Sequence, residues 1–281
     1  MVIILKNKIG VCYEVPNFFL ALATQSALAK ERVISAGGTL TEIIYALEKQ
    51  NSLVAVDQSS MYPQQATQLP QVGYYRDLAA EGVLSMRPTT LLALEGAGRE
   101  QALKQIEATG VKVIHYKKPT SVNELLALIK YLGSDLDANL KAQNLITKIK
   151  KSLPTKAKTQ THNALFLLSA NERGLVAAGQ ETVPNLLFNY AGITNIAATH
   201  TGFKAINSEV LAVSQPDFLV APAHVVQSLG GKQAFCKQPT LRLLKAAQEC
   251  QLLVMDSLLS LGMSPRIATA IQALHEYKTR L

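Results

Sequence analysis

Residues 80–93 read AEGVLSMRPTTLLA and residues 208–221 read SEVLAVSQPDFLVA, with Glu209 and Pro216 both 128 positions after Glu81 and Pro88. In each copy an acid opens a short amphipathic segment, a proline stops it, and an apolar run suited to a buried strand follows at once. A duplicated helix-then-strand unit predicts a protein of two lobes. The chain has 281 residues, is 48% hydrophobic and carries no low-complexity tract, which is ample for a packed core in each lobe.

Strand and helix patterns alternate on both sides of a central helical stretch. Residues 32–36 (RVISA), 53–57 (LVAVD), 89–95 (TTLLALE) and 111–116 (VKVIHY) read as strands. Helical periodicity falls between them, and Ser121 opens another helix at SVNELLALIKYLG. From 134 to 153 the pattern is one long helix, with Asp135 and Asp137 at its start and Lys148, Lys150 and Lys151 at its end, matched to the helix dipole. The alternation then resumes with strands at 164–169, 217–223 and 252–256, and helices around VPNLLFNYAG, QPTLRLLKAAQE and the segment after Pro265. The predicted fold is α/β: two Rossmann-like lobes with parallel sheets, residues 30–132 and 155–281, joined by a single long α-helix at 133–154. A ligand cleft is expected where the loops at the strand ends of the two lobes meet.

The N-terminus predicts export. Lys6 and Lys8 precede the apolar stretch VPNFFLALA, and SALA ends at Ala29 before KER, which is the order of a cleavable signal peptide over 1–29. Without it the chain keeps two cysteines, Cys236 and Cys250. They can form a disulfide in an oxidising compartment or stand as two unpaired thiols at opposite ends of one helix; a straight helix would hold them too far apart to bond.

The formal net charge of +8 is spread along the chain, with no basic block interleaved with aromatics, so nucleic acid is not an expected partner. His115, His162, His200 and His275 form no ligand cluster by spacing, and neither a P-loop, a GxSxG elbow nor a convincing catalytic dyad is present. The turn at 37–39 (GGT) offers backbone amides to an anion, although a glycine pair between strand and helix is usually only a turn. No enzyme is expected.

The segments VISAGGTLTEIIYAL, GYYRDLAAEGVLSMRP, TGFKAINSEVLAVSQPD, QSLGG and LLSLGMSPR resemble, in that order, the periplasmic haem-binding proteins of bacterial ABC-type haem importers. These belong to the helix-linked class (class III) of solute-binding proteins, and the likeness runs from about Val33 to the C-terminus. The resemblance implies a periplasmic monomer that takes one ferric haem b between its lobes and delivers it to an inner-membrane ABC permease dimer with its ATPase. In that family the tyrosine after the glycine ligates haem iron, which carries over onto Tyr74, with Tyr75 at a variable position beside the site. A histidine-containing turn used by some relatives as a second ligand is replaced here by Ser169, Ala170, Asn171 and Glu172, which argues against a ligand from that turn. His224 stands where relatives often carry arginine, four residues before the SLGG turn, and is a candidate to support the phenolate or approach iron. Glu81 and Glu209 match the paired glutamates that dock onto the two permease subunits. A siderophore or corrinoid carrier of the same class is the alternative, and a secreted α/β enzyme a more distant one.

The chemistry of Tyr74 stands apart from the family. Ferric iron is a hard acid, a phenolate a hard anionic donor, and tyrosine an established axial haem ligand. A phenol with an ordinary pKa near 10 needs the iron's charge and a nearby cation to ionise at neutral pH. Arg76, two residues on in an extended loop, is placed to donate to the phenolate or to pair with a haem propionate.

Overall fold

Apolar runs buried on both faces form the two sheets of the computed structural model, which describes residues 31–171, 174–207, 211 and 213–281. The expected signal peptide lies outside the described residues, as does Glu209. The first sheet has the order β2 (Leu53–Val56), β1 (Val33–Ala36), β3 (Thr90–Leu94), β4 (Lys112–Tyr116), all parallel. In the second sheet β7 (Ile193–Asn195), β5 (His162–Asn171), β9 (Phe218–Pro222) and β10 (Leu252–Met255) repeat that parallel order. Strands β3 and β9, which follow the two copies of the duplicated segment, therefore occupy equivalent places.

The second sheet is mixed rather than purely parallel. Strand β5 runs past its parallel neighbours and pairs antiparallel with β6 (Gly174–Ala178), which pairs antiparallel with β8 (Phe203–Ile206). Backbone groups that outrun one set of partners must find another, and this ribbon supplies it. Ser169, Ala170 and Asn171, expected as a turn, are accordingly strand, and Glu172 lies outside the described residues.

Helices α1 (Gly38–Ala46), α2 (Ala80–Ser85), α3 (Glu100–Ala108) and α4 (Val122–Asp135) accompany the first sheet. Ser121 caps α4 by accepting the Glu124 amide, as its sequence suggests. The connecting helix is shorter than expected: α4 continues to Asp135, the chain breaks at Asp137 (φ 48°), and α5 covers Asn139–Ser152. Asp135 thus ends one helix instead of starting the next, and its carboxylate accepts the Tyr116 hydroxyl at 2.6 Å. With the second sheet come α6 (Val183–Ala191), α7 (Ala223–Ser228), α8 (Lys232–Cys236), α9 (Lys245–Gln248), α10 (Ser257–Leu261) and α11 (Ile267–Lys278).

Alternate residues of each strand feed different cores, as a period of two requires when both faces are covered. Ile34, Leu91 and Ala93 pack with Ile106 and Tyr75, whereas Val33, Leu92 and Leu94 pack with α1 and α4. That second core does not stop at the lobe: it continues through Ala142 and Ile149 of α5 to Phe166, Phe218, Val220 and the buried face of α11. The other face of the second sheet, with Leu165, Leu219 and Ala221, packs on Phe235 and Cys236.

Cys236 and Cys250 are joined in a disulfide, with Cα atoms 5.4 Å apart. The single straight helix expected between them does not form. A turn of 3₁₀ helix at Pro239–Leu241 and the short α9 fold the chain back on itself. Closing a loop of this length stabilises by about 3 kcal/mol in the chain-entropy model.

The lobes touch where α1 begins. A Cβ on Gly38 would collide with the Ser59 carbonyl and stand 3.0 Å from Leu258 of α10, so only glycine fits. Nearby, Arg266 makes a bidentate pair with Glu42, both contacts at 3.0 Å, and its guanidinium carbon lies 3.5 Å from the centre of the Tyr62 ring.

Candidate functional site

The loop that carries Tyr74 is fastened to the edge of the first sheet. Val56 exchanges hydrogen bonds with Pro70 and Val72, and the Gln58 amide donates to the Gly73 carbonyl at 2.9 Å, extending β2 by a short parallel stretch. Gly73 takes φ 97°, a conformation that favours glycine, and turns the chain so that Tyr74 begins a 3₁₀ turn at Tyr75–Asp77. The turn is closed by the Asp77 amide on the Tyr74 carbonyl and held to the loop after β3 by the Gly98 amide on the Tyr75 carbonyl, 2.7 Å.

This geometry gives adjacent tyrosines opposite fates. Tyr75 is 7% exposed and belongs to the core beneath the loop, while Tyr74 is 43% exposed. Their rings meet edge to face at 5.1 Å. Arg76 donates through Nε to the Tyr75 hydroxyl at 2.9 Å, rather than to Tyr74 as the sequence suggested, with its guanidinium 5.4 Å from the Tyr75 ring centre. The two terminal nitrogens of Arg76 have no hydrogen-bond partner among the described residues.

Burial raises the Tyr74 pKa above that of a free phenol; the Arg76 charge pulls the other way, and Tyr75 and Asp57 add to the rise. Tyr74 is therefore a neutral phenol at neutral pH until something stronger than Arg76 withdraws its proton. A trivalent metal ion does this, so ligation would release one proton.

Asp57, fully buried at the end of β2, organises the floor. Its carboxylate accepts the Gly37 amide at 2.9 Å, the Ser59 amide at 2.8 Å and the Ser60 hydroxyl at 2.7 Å. The Gly38 amide donates to Ser59 Oγ at 3.0 Å. Two amides of the GGT turn are thus already taken, which leaves that turn a structural device and not an anion site.

His224 opens α7 at the end of β9. Its backbone amide donates to Ser257 Oγ at 3.2 Å and its Nδ1 shares a hydrogen bond with the same oxygen at 2.7 Å. Burial lowers its pKa, so the imidazole is neutral at neutral pH, and Nε2 has no protein partner among the described residues. The chain adjoining Ser257 touches the first lobe through Leu258 and Gly38, one hydrogen bond from Ser59. His224 and Tyr74 are joined by this short series of contacts, and no hydrogen bond connects them directly.

Glu81 is exposed in the first turn of α2. Among the described residues no group of three or more His, Cys, Asp or Glu is placed to hold a metal ion. A separate hollow of about 710 Å³ lies between α1, α5 and α11, lined by Tyr45, Tyr62 and Ile149 among others. It contains neither Tyr74 nor His224, and the Arg266 at its edge is matched to Glu42.

Sequence reasoning passed over Lys118. It follows β4, is half-buried, and its amide donates to Glu95 Oε2 at 3.0 Å. Burial and then the neighbouring Arg76 charge lower its pKa, against the pull of Glu95. Only the folded loop brings it beside Arg76, 42 positions away in the chain.

The periplasmic binding protein family matches residues 33–259. Two solved structures are similar over nearly their whole length. The periplasmic haem-binding protein RhuT from Roseiflexus sp. RS-1 is 30% identical with a TM-score of 0.80, covering 88% of this chain and 99% of that one. A periplasmic haem-binding protein from Pseudomonas aeruginosa is 33% identical with a TM-score of 0.72, covering 87% and 91%. A vitamin B12-binding protein of Vibrio parahaemolyticus is 27% identical over 227 residues, which is 80% of this chain and 81% of the relative.

Proposed function

The chain belongs to the periplasmic binding protein family, and from that premise we propose that it carries one ferric haem b outside the cytoplasm, with Tyr74 as the iron ligand. The observation that carries this reading is the exposed Tyr74 phenol, set on a fastened loop beside an arginine whose terminal nitrogens have no partner among the described residues. The solved relatives named for haem binding support it. In this reading Tyr75 holds Arg76 in place, and His224 supports the ligand from the second lobe. Export follows cleavage after Ala29.

The relative named for vitamin B12 favours a second reading, a corrinoid carrier. An exposed phenol is poorly used there, because the cobalt of a cobalamin already carries axial ligands and the corrin presents neutral amides around it, whereas a ferric porphyrin leaves an axial position for an oxygen donor. Titrating the protein with hemin and with cyanocobalamin separates the two. Hemin should bind at one equivalent with a phenolate-to-iron absorption band, and its affinity should rise about tenfold per pH unit through the neutral range as Tyr74 gives up its proton. Saturable binding of cyanocobalamin with none of hemin would overturn the haem reading.

The haem is handed to an inner-membrane ABC permease. Glu81 on α2 and Glu209 in the second copy of the repeat are the docking pair, facing cations on the two permease subunits. Reversing both to Lys should leave hemin affinity unchanged and abolish haem-stimulated ATP hydrolysis by the reconstituted transporter. Full stimulation by the double variant would remove this pair from the docking surface.

A further inference from the structure

We infer that the hollow between α1, α5 and α11 is a second ligand site, which takes a compact aromatic anion and lies apart from the Tyr74 loop. The inference does not depend on which ligand the Tyr74 loop serves.

The walls come from every part of the fold. Tyr45 on α1 and Tyr62 in the loop after β2 belong to the first lobe, Leu145, Lys148 and Ile149 to α5, and Ala268 to α11. On a helix, positions 145, 148 and 149 share one face, so α5 offers the hollow two aliphatic side chains with a lysine set between them. At about 710 Å³ the space falls within the range of small-molecule sites, and a lining of rings and aliphatic groups with a few polar atoms is their usual composition. The wall is held in place: Arg266 pairs with Glu42 and covers the Tyr62 ring, its guanidinium carbon 3.5 Å from the ring centre.

Polar groups in this wall lack partners among the described residues. Glu42 and Glu48, the acids in and just after α1, are taken by Arg266 and Lys141. No acid occurs between Asp137 and Glu172 along the chain, and the Lys148 ammonium is left without a carboxylate. Burial keeps the Tyr45 hydroxyl protonated and so a donor. Gln50, also in the wall, has a buried side-chain oxygen that accepts no hydrogen bond. Such groups are costly, and folded proteins keep few of them. A ligand N–H or O–H reaches this oxygen when the amide turns about its soft terminal torsion. The complement of the lining is therefore a flat apolar body against the tyrosines, an anionic group at Lys148 and a hydrogen-bond donor for Gln50.

Calorimetric titration with anilinonaphthalene sulfonate, which combines fused rings, an anionic group and one N–H, tests the site. One equivalent should bind to hemin-free and hemin-loaded protein alike and raise the unfolding temperature. Lys148→Met should weaken binding roughly tenfold, the loss of one charge-assisted contact. Lys150→Met, on the same helix but outside the hollow, should not. Gln50→Leu should also weaken binding, yet stabilise the ligand-free protein, because it removes the stranded oxygen. Ala268→Trp, which fills the space, should abolish dye binding and leave hemin affinity unchanged. No dye binding by the wild type, equal effects of Lys148→Met and Lys150→Met, wild-type dye affinity in Ala268→Trp, or displacement of the dye by one equivalent of hemin would each overturn the site.

Discussion

Tyr74→Phe should lower hemin affinity by more than about a hundredfold and remove the phenolate-to-iron absorption band. The substitution deletes one oxygen and keeps the ring that meets Tyr75 edge to face at 5.1 Å, so the loop should stay folded. Tyr75 cannot take over, because it is 7% exposed and its hydroxyl is held by Arg76. Tyr75→Phe makes the complementary measurement. It leaves the proposed iron ligand in place but frees Arg76, so it should keep the band and lose affinity only moderately. A Tyr74→Phe protein that retains both band and affinity would show that iron is bound elsewhere.

Arg266→Ala should destabilise the protein by about 3–5 kcal/mol, read as a lowered urea midpoint, because it strands a buried carboxylate. Side-chain exposure is 20% for Arg266 and 3% for Glu42, so solvent screens the pair little. Removing the arginine also takes the cation from the Tyr62 face and from Asp256, 3.4 Å away. The double variant Glu42→Gln with Arg266→Met should regain much of the loss, since the cost lies in an unpaired buried charge more than in the missing attraction. If Arg266→Ala unfolds at the wild-type urea concentration, the pair contributes nothing to stability.

The parts of this protein visible in the sequence are those that depend on near neighbours in the chain. Continuous apolar runs at 53–56 and 90–94 and Ser121 at a helix start formed as the local pattern required. Tyr74 could be singled out as a candidate because a glycine before it and an arginine after it lie within one short segment. What escaped depends on distant chain. Nothing in YYR says which tyrosine is buried; the Gly98 amide, fixed by β3, decides it. Lys118 looks like any lysine between a strand and a proline until β4 is laid beside β3. The antiparallel ribbon answers a need of β5 that appears only when its parallel neighbours end. Pro239 marks a break near the cysteines, but the fold-back that joins Cys236 to Cys250 is made by turns with no strong local signature.

The apolar core that passes from β1 through α5 to β9 and α11 makes the energetic unit larger than the topological one. Each lobe owns a sheet, yet neither owns the packing on its inner face. Parting the lobes widely would bare Leu40 and Phe218 alike to water, a cost that grows with every square ångström of apolar surface uncovered. Motion around a bound ligand is consequently confined to rims and loops. Unfolding, when it comes, has no natural halfway point at the connecting helix, and a fragment cut there would inherit an open hydrophobic wound in place of a surface.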